Sequence, residues 1–259
     1  MIFFSILIAI VISFSLYQRR RKRGALTQHI LNDVQKKLLE KHIDYYNKLS
    51  DTDKLYFEDK IEQFLDAVNI EAVGFDLTDT DKLMVASSAV IPIFRFKDWS
   101  YRNITNVLLY PDTFDKDFQY EGADGRNIMG MVGTGYMNGQ MLLSRSALIK
   151  GFSSQAGDSN TAIHEFVHLL DKADGETDGV PEQFLAHEYV KPWISMMHKE
   201  INKIENGHSD IDPYATTNEA EFFAVVSEYF FEKPEQFETK HPELYGMLSR
   251  IFGQKPAGE

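Results

Sequence analysis

The chain has 259 residues, 43% of them apolar, with 39 acidic against 27 basic side chains and a formal charge of -12. Such a length carries one large core, and the acidic balance excludes a phosphate-backbone binder, so no nucleic acid is expected as a partner. With no cysteine in the chain, disulfides, thiolate metal sites and thiol nucleophiles are excluded, and any metal must be held by His, Asp or Glu.

Residues 1–17 carry no charge and are largely apolar, and the basic run Arg19, Arg20, Arg21, Lys22 and Arg23 follows at once. A secretory signal places its positive charge before the apolar stretch, not after it. The order found here predicts an uncleaved transmembrane anchor over 1–18, a basic juxtamembrane segment over 19–25 and a catalytic domain over 26–255. A basic cluster just after a span sets the following domain on the cytoplasmic side of a single-pass membrane protein. The collar is expected to meet inner-membrane lipid.

Helical periodicity runs from about Leu26 to Leu49, and again through Leu55, Phe57, Ile61, Phe64, Leu65 and Val68 after a start near Asp51. A third helix is expected over Asp79 to Ala89. Ile91-Pro92-Ile93-Phe94 then reads as a connection into extended structure, because proline restricts the residue before it. Asn106 to Tyr110 reads as a strand bounded by Pro111. The six glycines between 122 and 139 lack the Lys-Ser/Thr ending of a phosphate loop. Turns, bulges and an exposed hairpin explain them better. Met141 to Leu143 is a short strand ending near Ser144, with an edge on which an extended peptide could pair.

A polar loop follows, in which Asp158, Ser159 or Asn160 caps a helix through Ala162 to Leu170. Asp171 to Pro181 is an acidic loop. Phe184 to about Ile204 is helical despite Pro192. The last elements are a strong helix from Glu219 to Phe231, stopped before Pro234, and a short one ending at Phe252.

His164 and His168 stand four apart on the helix through Ala162 to Leu170, so both project from one face and can reach one metal ion. Glu165 lies beside His164, where a carboxylate can take a proton from activated water. Their neighbours Ile163, Phe166, Val167, Leu169 and Leu170 indicate burial, and buried polar groups are costly unless paired or metal-bound. A catalytic zinc usually has a third protein ligand, for which Asp174, Glu221 and Glu228 compete. Asp174 lies six residues after His168, but the glycine that compact zinc peptidases use to turn there is replaced by Asp171. Glu228 sits deeper in its helix. Glu221, at a helix start facing an apolar continuation, is preferred, although a capping box of Asn218 with Glu221, or of Thr216 with Glu219, competes with that role. The acidic loop does not have the spacing of a twelve-residue calcium loop.

The segments His164-Glu165-Phe166-Val167-His168-Leu169-Leu170-Asp171, Asp174-Gly175-Glu176-Thr177-Asp178-Gly179-Val180-Pro181, Asp212-Pro213-Tyr214-Ala215 and Glu219 through Phe231 together resemble the MtfA-like (Mlc titration factor A) zinc peptidases. The resemblance covers roughly Ile30 to Phe252. It implies zinc (Zn2+) held by His164, His168 and Glu221, with Glu165 as the catalytic carboxylate. It also implies an α+β fold: a predominantly helical zincin-like metallopeptidase domain with a small sheet, similar in core to the anthrax lethal factor catalytic domain. The expected activity is that of an aminopeptidase-like enzyme on small peptides, and a transcription-regulator partner is implied as well. Within that frame Tyr214 is expected to donate to a developing oxyanion. Asp171, three residues after His168 and seven after His164, is expected to orient a ligand imidazole. A metal-containing protein-binding module with little turnover, held at the membrane by the anchor, is the alternative.

Overall fold

The computed structural model describes residues 31–122, 125–153 and 157–258. Its elements, in order, are α1 (Asp33–His42), α2 (Asp44–Asn47), α3 (Asp51–Ala67), β1 (Asn69–Ala72), α4 (Asp79–Ile93), β2 (Ile104–Tyr110), β3 (Gly130–Val132), β4 (Gly139–Ser144), α5 (Arg145–Gly151), α6 (Thr161–Asp171), α7 (His187–Glu205), α8 (Glu219–Glu232), α9 (Pro234–Lys240) and α10 (Pro242–Phe252). The fold is mixed α+β, mostly helical, with one small open sheet.

Local chemistry sets most helix starts. Asn32 and Gln35 close a capping box on α1, Ser50 caps α3, and Thr78 with Asp81 closes a second box on α4. The single helix expected up to Leu49 is broken at Ile43, whose backbone turns extended (φ -119, ψ 93) as its side chain enters the core. The expected extended connection at Ile91 to Phe94 is also corrected, because α4 runs through Pro92 to Ile93. Its last carbonyls find a partner in the buried amide of Gln254, which donates to Ile91 O and Pro92 O at 2.8 and 3.3 Å. Burial and that tertiary cap override the local bias against helix before proline.

The sheet order is β1-β2-β4-β3, with β1, β2 and β4 parallel and β3 antiparallel to β4. The Gly-rich stretch does form a hairpin, β3 to β4, around a short 3-10 turn at Gly135–Met137. Strand β4 is interior rather than an edge, since its register pairs Met141 with both Val107 and Val132. The outer strands are β1 and β3, and β3 is the one that packs against the helix Thr161–Asp171.

Helix α6 is the axis of the domain. Ala162, Ile163, Phe166, Val167, Leu169 and Leu170 are all buried, and the helix packs between α4 on one side and α8 on the other, with β3 along its flank. Phe166 meets Phe64 and Tyr101 edge-on or tilted at centroid distances of 5.6 and 5.4 Å.

The single-pass membrane localisation expected from the sequence is corrected here. The apolar run 1–18 and the basic collar, with the lipid contact expected of them, lie outside the described residues. Among the described residues no helix is long and apolar enough to cross a membrane. A span needs about 20 consecutive apolar residues, whereas the longest helices, α3 with 17 residues and α7 with 19, are interrupted throughout by Asp, Glu and Lys.

Candidate metal centre

Asn160 caps the start of α6. Its side chain accepts the Ile163 N–H, and its amide donates to Glu232 Oε1 at 2.9 Å, which ties the first turn of α6 to the last turn of α8. With α6 so fixed, His164 and His168 face the first turns of α8. His164 Nε2 lies 2.9 Å from Glu221 Oε2 and 3.0 Å from His168 Nε2, and His168 Nε2 lies 3.4 Å from the same Glu221 oxygen. A tetrahedral zinc with bonds of about 2.0–2.1 Å separates its donor atoms by about 3.3 Å. The triangle of two imidazole nitrogens and one carboxylate oxygen therefore fits such an ion in size and donor type. Among the described residues this is the group of His and acidic side chains that could hold a metal.

Of the three candidate carboxylates, Glu221 is the one that completes the triangle, and backbone geometry is the reason. Asn218 caps α8 by accepting the N–H of Glu221 at 2.9 Å, so the cap uses the Glu221 backbone and leaves its carboxylate free to turn toward the histidines. Asp174 is engaged elsewhere, accepting the backbone N–H groups of Glu176 and Glu182. Glu228, two turns beyond Glu221 and thus on the same face, reaches the other nitrogen of the first ring: its Oε1 lies 2.7 Å from His164 Nδ1. Its Oε2 accepts from the Asn160 N–H and the Ser159 hydroxyl. Sequence reading placed Glu228 only among possible ligands. Its spacing of seven from Glu221 was the signal for the orienting position it holds.

Electrostatics follow from this packing. Burial works to lower the His164 imidazole, but hydrogen bonds to Glu221 and Glu228 outweigh it and raise its pKa to about 10. Burial resists the charge on Glu221, while both histidines hold its carboxyl down to about 2. Without metal, a proton on His164 sits between two carboxylates, where a cation is favoured. Glu165 is buried, and burial raises its carboxyl above the usual range despite the nearby histidines. It lies under β3: a Cβ built on Gly130 would stand 2.7 Å from Glu165 Cγ and Oε1.

Tyr214, 54% exposed, places its ring 6.1 Å from that of His164. Burial of its hydroxyl end, then the charges of Glu221 and Glu165, raise its pKa, so it remains a phenol and a donor at neutral pH. Asp171 is buried at the end of α6. Its Oδ2 accepts the Gly179 N–H at 2.9 Å, while its Oδ1 and His168 Nδ1 are both buried without a hydrogen-bond partner. Burial pushes the Asp171 carboxyl up to about 7. Gly179 C=O in turn accepts the indole N–H of buried Trp193 at 2.7 Å. The acidic loop thus spans from the end of α6 to the start of α8, pinned from α7.

A sequence profile of the glucose-regulated metallo-peptidase M90 family matches residues 16–253. The chain belongs to the M90 metallopeptidase family. This M90 chain is 30% identical over 230 residues to an uncharacterized protein of Synechocystis sp., covering 85% of this chain and 83% of that one. It is 31% identical over 208 residues to the Mlc titration factor A of Salmonella agona and 30% identical to that of Salmonella gallinarum, in each case over 76% of this chain and 77% of the relative.

Proposed function

We propose that this M90 chain is a zinc-dependent peptidase that hydrolyses small peptides. The observation that carries the reading is the convergence of His164 Nε2, His168 Nε2 and Glu221 Oε2 within 3.4 Å of one another, beside the buried carboxylate of Glu165. Zinc held there would supply a Lewis acid that activates water and polarises a scissile carbonyl. Glu165, its affinity for protons raised by burial, takes the proton of the attacking water and hands it to the departing amine. The Tyr214 hydroxyl donates to the developing oxyanion, and Asp171 biases the setting of the His168 ring.

The peptide backbone pairs with β3. Met129 C=O and Gly133 N–H bond to β4, so by strand alternation the polar groups of Gly130 and Val132 point to the open edge. Those two residues line the same cleft as His164 and Glu165. An aminopeptidase preference is supported by Asp178 and Glu219 at one end of that cleft, where carboxylates would receive a free amino group. The test is Glu165→Gln: cleavage of a mixed peptide set should disappear while one metal per chain is retained. Full turnover by the metal-loaded variant would refute the reading.

A second reading is a metal-containing module that binds a regulatory protein and turns over little. It is supported by the name of the Salmonella relatives, Mlc titration factor A, which speaks of a protein bound rather than a peptide cut. Absence of turnover in metal-loaded wild-type protein, together with a stable complex with an Mlc-type repressor in calorimetry, would favour it over the enzyme.

A further inference from the structure

Two compartments meet at the metal centre, and Gly130, His164, Glu165 and Tyr214 wall both of them. One, of about 580 Å³, runs toward the C-terminal end of α6 and reaches exposed Thr134, Asp178 and Glu219. The other, of about 440 Å³, runs toward the N-terminal end of α6 between Ile128, Met129, Val225 and Tyr229.

The chemistry of the second compartment differs from that of the first. Val225 follows Glu221 by one helical turn and so projects from the same face of α8. Tyr229 turns its hydroxyl onto Asp210 at 2.8 Å, outside the compartment, and leaves ring carbon as the wall. The Glu228 carboxylate is already satisfied by His164, Asn160 and Ser159. Met129 is 46% exposed and lies at the entrance. Lys116 and Asp212 are exposed at the outer rim. A carboxylate entering this space would meet Glu165 and Glu228, whereas a hydrocarbon side chain would meet Ile128, Val225 and the Tyr229 ring.

We propose that this compartment is the side-chain subsite of the cleft, and that it takes an aliphatic or aromatic residue of a peptide adjoining the bond held at the metal centre. The assignment rests on the peptidase reading for its catalytic consequence, but the binding itself needs only the cleft. Val225 and Met129 are then the residues that set specificity, one from the floor and one from the entrance.

The experiment uses metal-loaded protein and two series of peptide hydroxamates, in which the metal-binding group fixes the register and a neighbouring side chain is varied on its amino or carboxyl side. In one of the two series, Leu and Phe should bind about 10- to 100-fold more tightly than Ala, the range expected for burying such a side chain, with Asp weakest. Val225→Phe should remove the preference for Phe over Ala. Met129→Asp, at an exposed position that leaves the core intact, should shift the preference toward Arg. Equal affinity across both series, a wild-type preference for Arg or Asp, or no binding in either series would overturn the subsite. Selective binding of Leu and Phe hydroxamates without cleavage of the matching peptides would leave the subsite standing and remove the peptidase reading. Cleavage indifferent to that side chain would do the reverse.

Discussion

His164 Nδ1 lies 2.7 Å from Glu228 Oε1, a contact across 64 residues of sequence, while the opposite nitrogen of the same ring faces Glu221. One imidazole is therefore gripped from both ends by carboxylates of one helix, seven residues apart. With Nε2 given to a metal, Nδ1 carries the proton and donates it to Glu228, which fixes the tautomer and the ring plane. Glu228→Gln should weaken zinc affinity by about 10- to 100-fold, read by competition with a chromophoric chelator. Unchanged affinity would remove Glu228 from the centre.

Gly130 is required by the Glu165 carboxylate rather than by the strand. A Cβ there would stand 2.7 Å from Glu165 Cγ and 2.9 Å from Thr161 Cγ2, so Gly130→Ala must displace Glu165. Turnover should fall by about 10²- to 10⁴-fold, the range for losing a positioned proton-transfer group. Zinc content should stay at that of the wild type, since no ligand atom is touched.

Metal binding should depend steeply on pH. The carboxylates raise the His164 pKa in the metal-free protein to about 10, so at neutral pH the incoming ion must displace that proton. Apparent affinity should thus rise by about tenfold per pH unit between roughly pH 6 and 9. In Glu228→Gln the proton is held less firmly, and the dependence over the upper half of that range should flatten. Isothermal titration in buffers of different ionisation enthalpy counts the protons released.

Gly179 is the tightest point of the scaffold behind the centre. Its φ is +76, and a Cβ would stand 2.2 Å from the Glu219 carbonyl oxygen, two residues before Glu221. Gly179→Ala should cost about 1–3 kcal/mol through strain and overpacking, seen as a lower Tm. Metal affinity should fall with it, because the start of α8 is what aims Glu221.

The Asp210 cluster supplies a pH-dependent part of the stability. Burial opposes its charge, but Lys240, His241 and Tyr229 hydrogen-bond to it and hold the carboxyl well below the usual range. This contribution is complete above the unfolded-state pKa near 3.9 and is lost as pH falls below it. Asp210→Asn should lower Tm at pH 7 and narrow its gap to wild type progressively below pH 4. A constant gap down to pH 2 would contradict the assignment.

Several elements were legible because their causes are local. The starts of α3, α6 and α8 follow from Ser50, Asn160 and Asn218, which cap within three residues. The path of α4 through Pro92 was not legible, since its support is Gln254, more than 160 residues away in sequence. Strand β1 escaped notice because four residues, Asn69–Ala72, show too little alternation to separate from the helix before them. The assignment of Met141 to Ser144 as an edge failed for a related reason: alternation reports which face a residue takes, not how many neighbours its strand has.

At the metal centre the division is the same. The sequence by itself determined that His164 and His168 share one face with Glu165 beside them, because a spacing of four on a helix is a local property. Only the tertiary structure decided that Glu221 closes the triangle, that Glu228 stands behind His164, and that Gly130 sits against Glu165. Those relationships depend on how α8 and β3 pack against α6. Contact between residues 57 and 64 positions apart is chosen by the shape of the whole core and leaves no periodic trace in the chain.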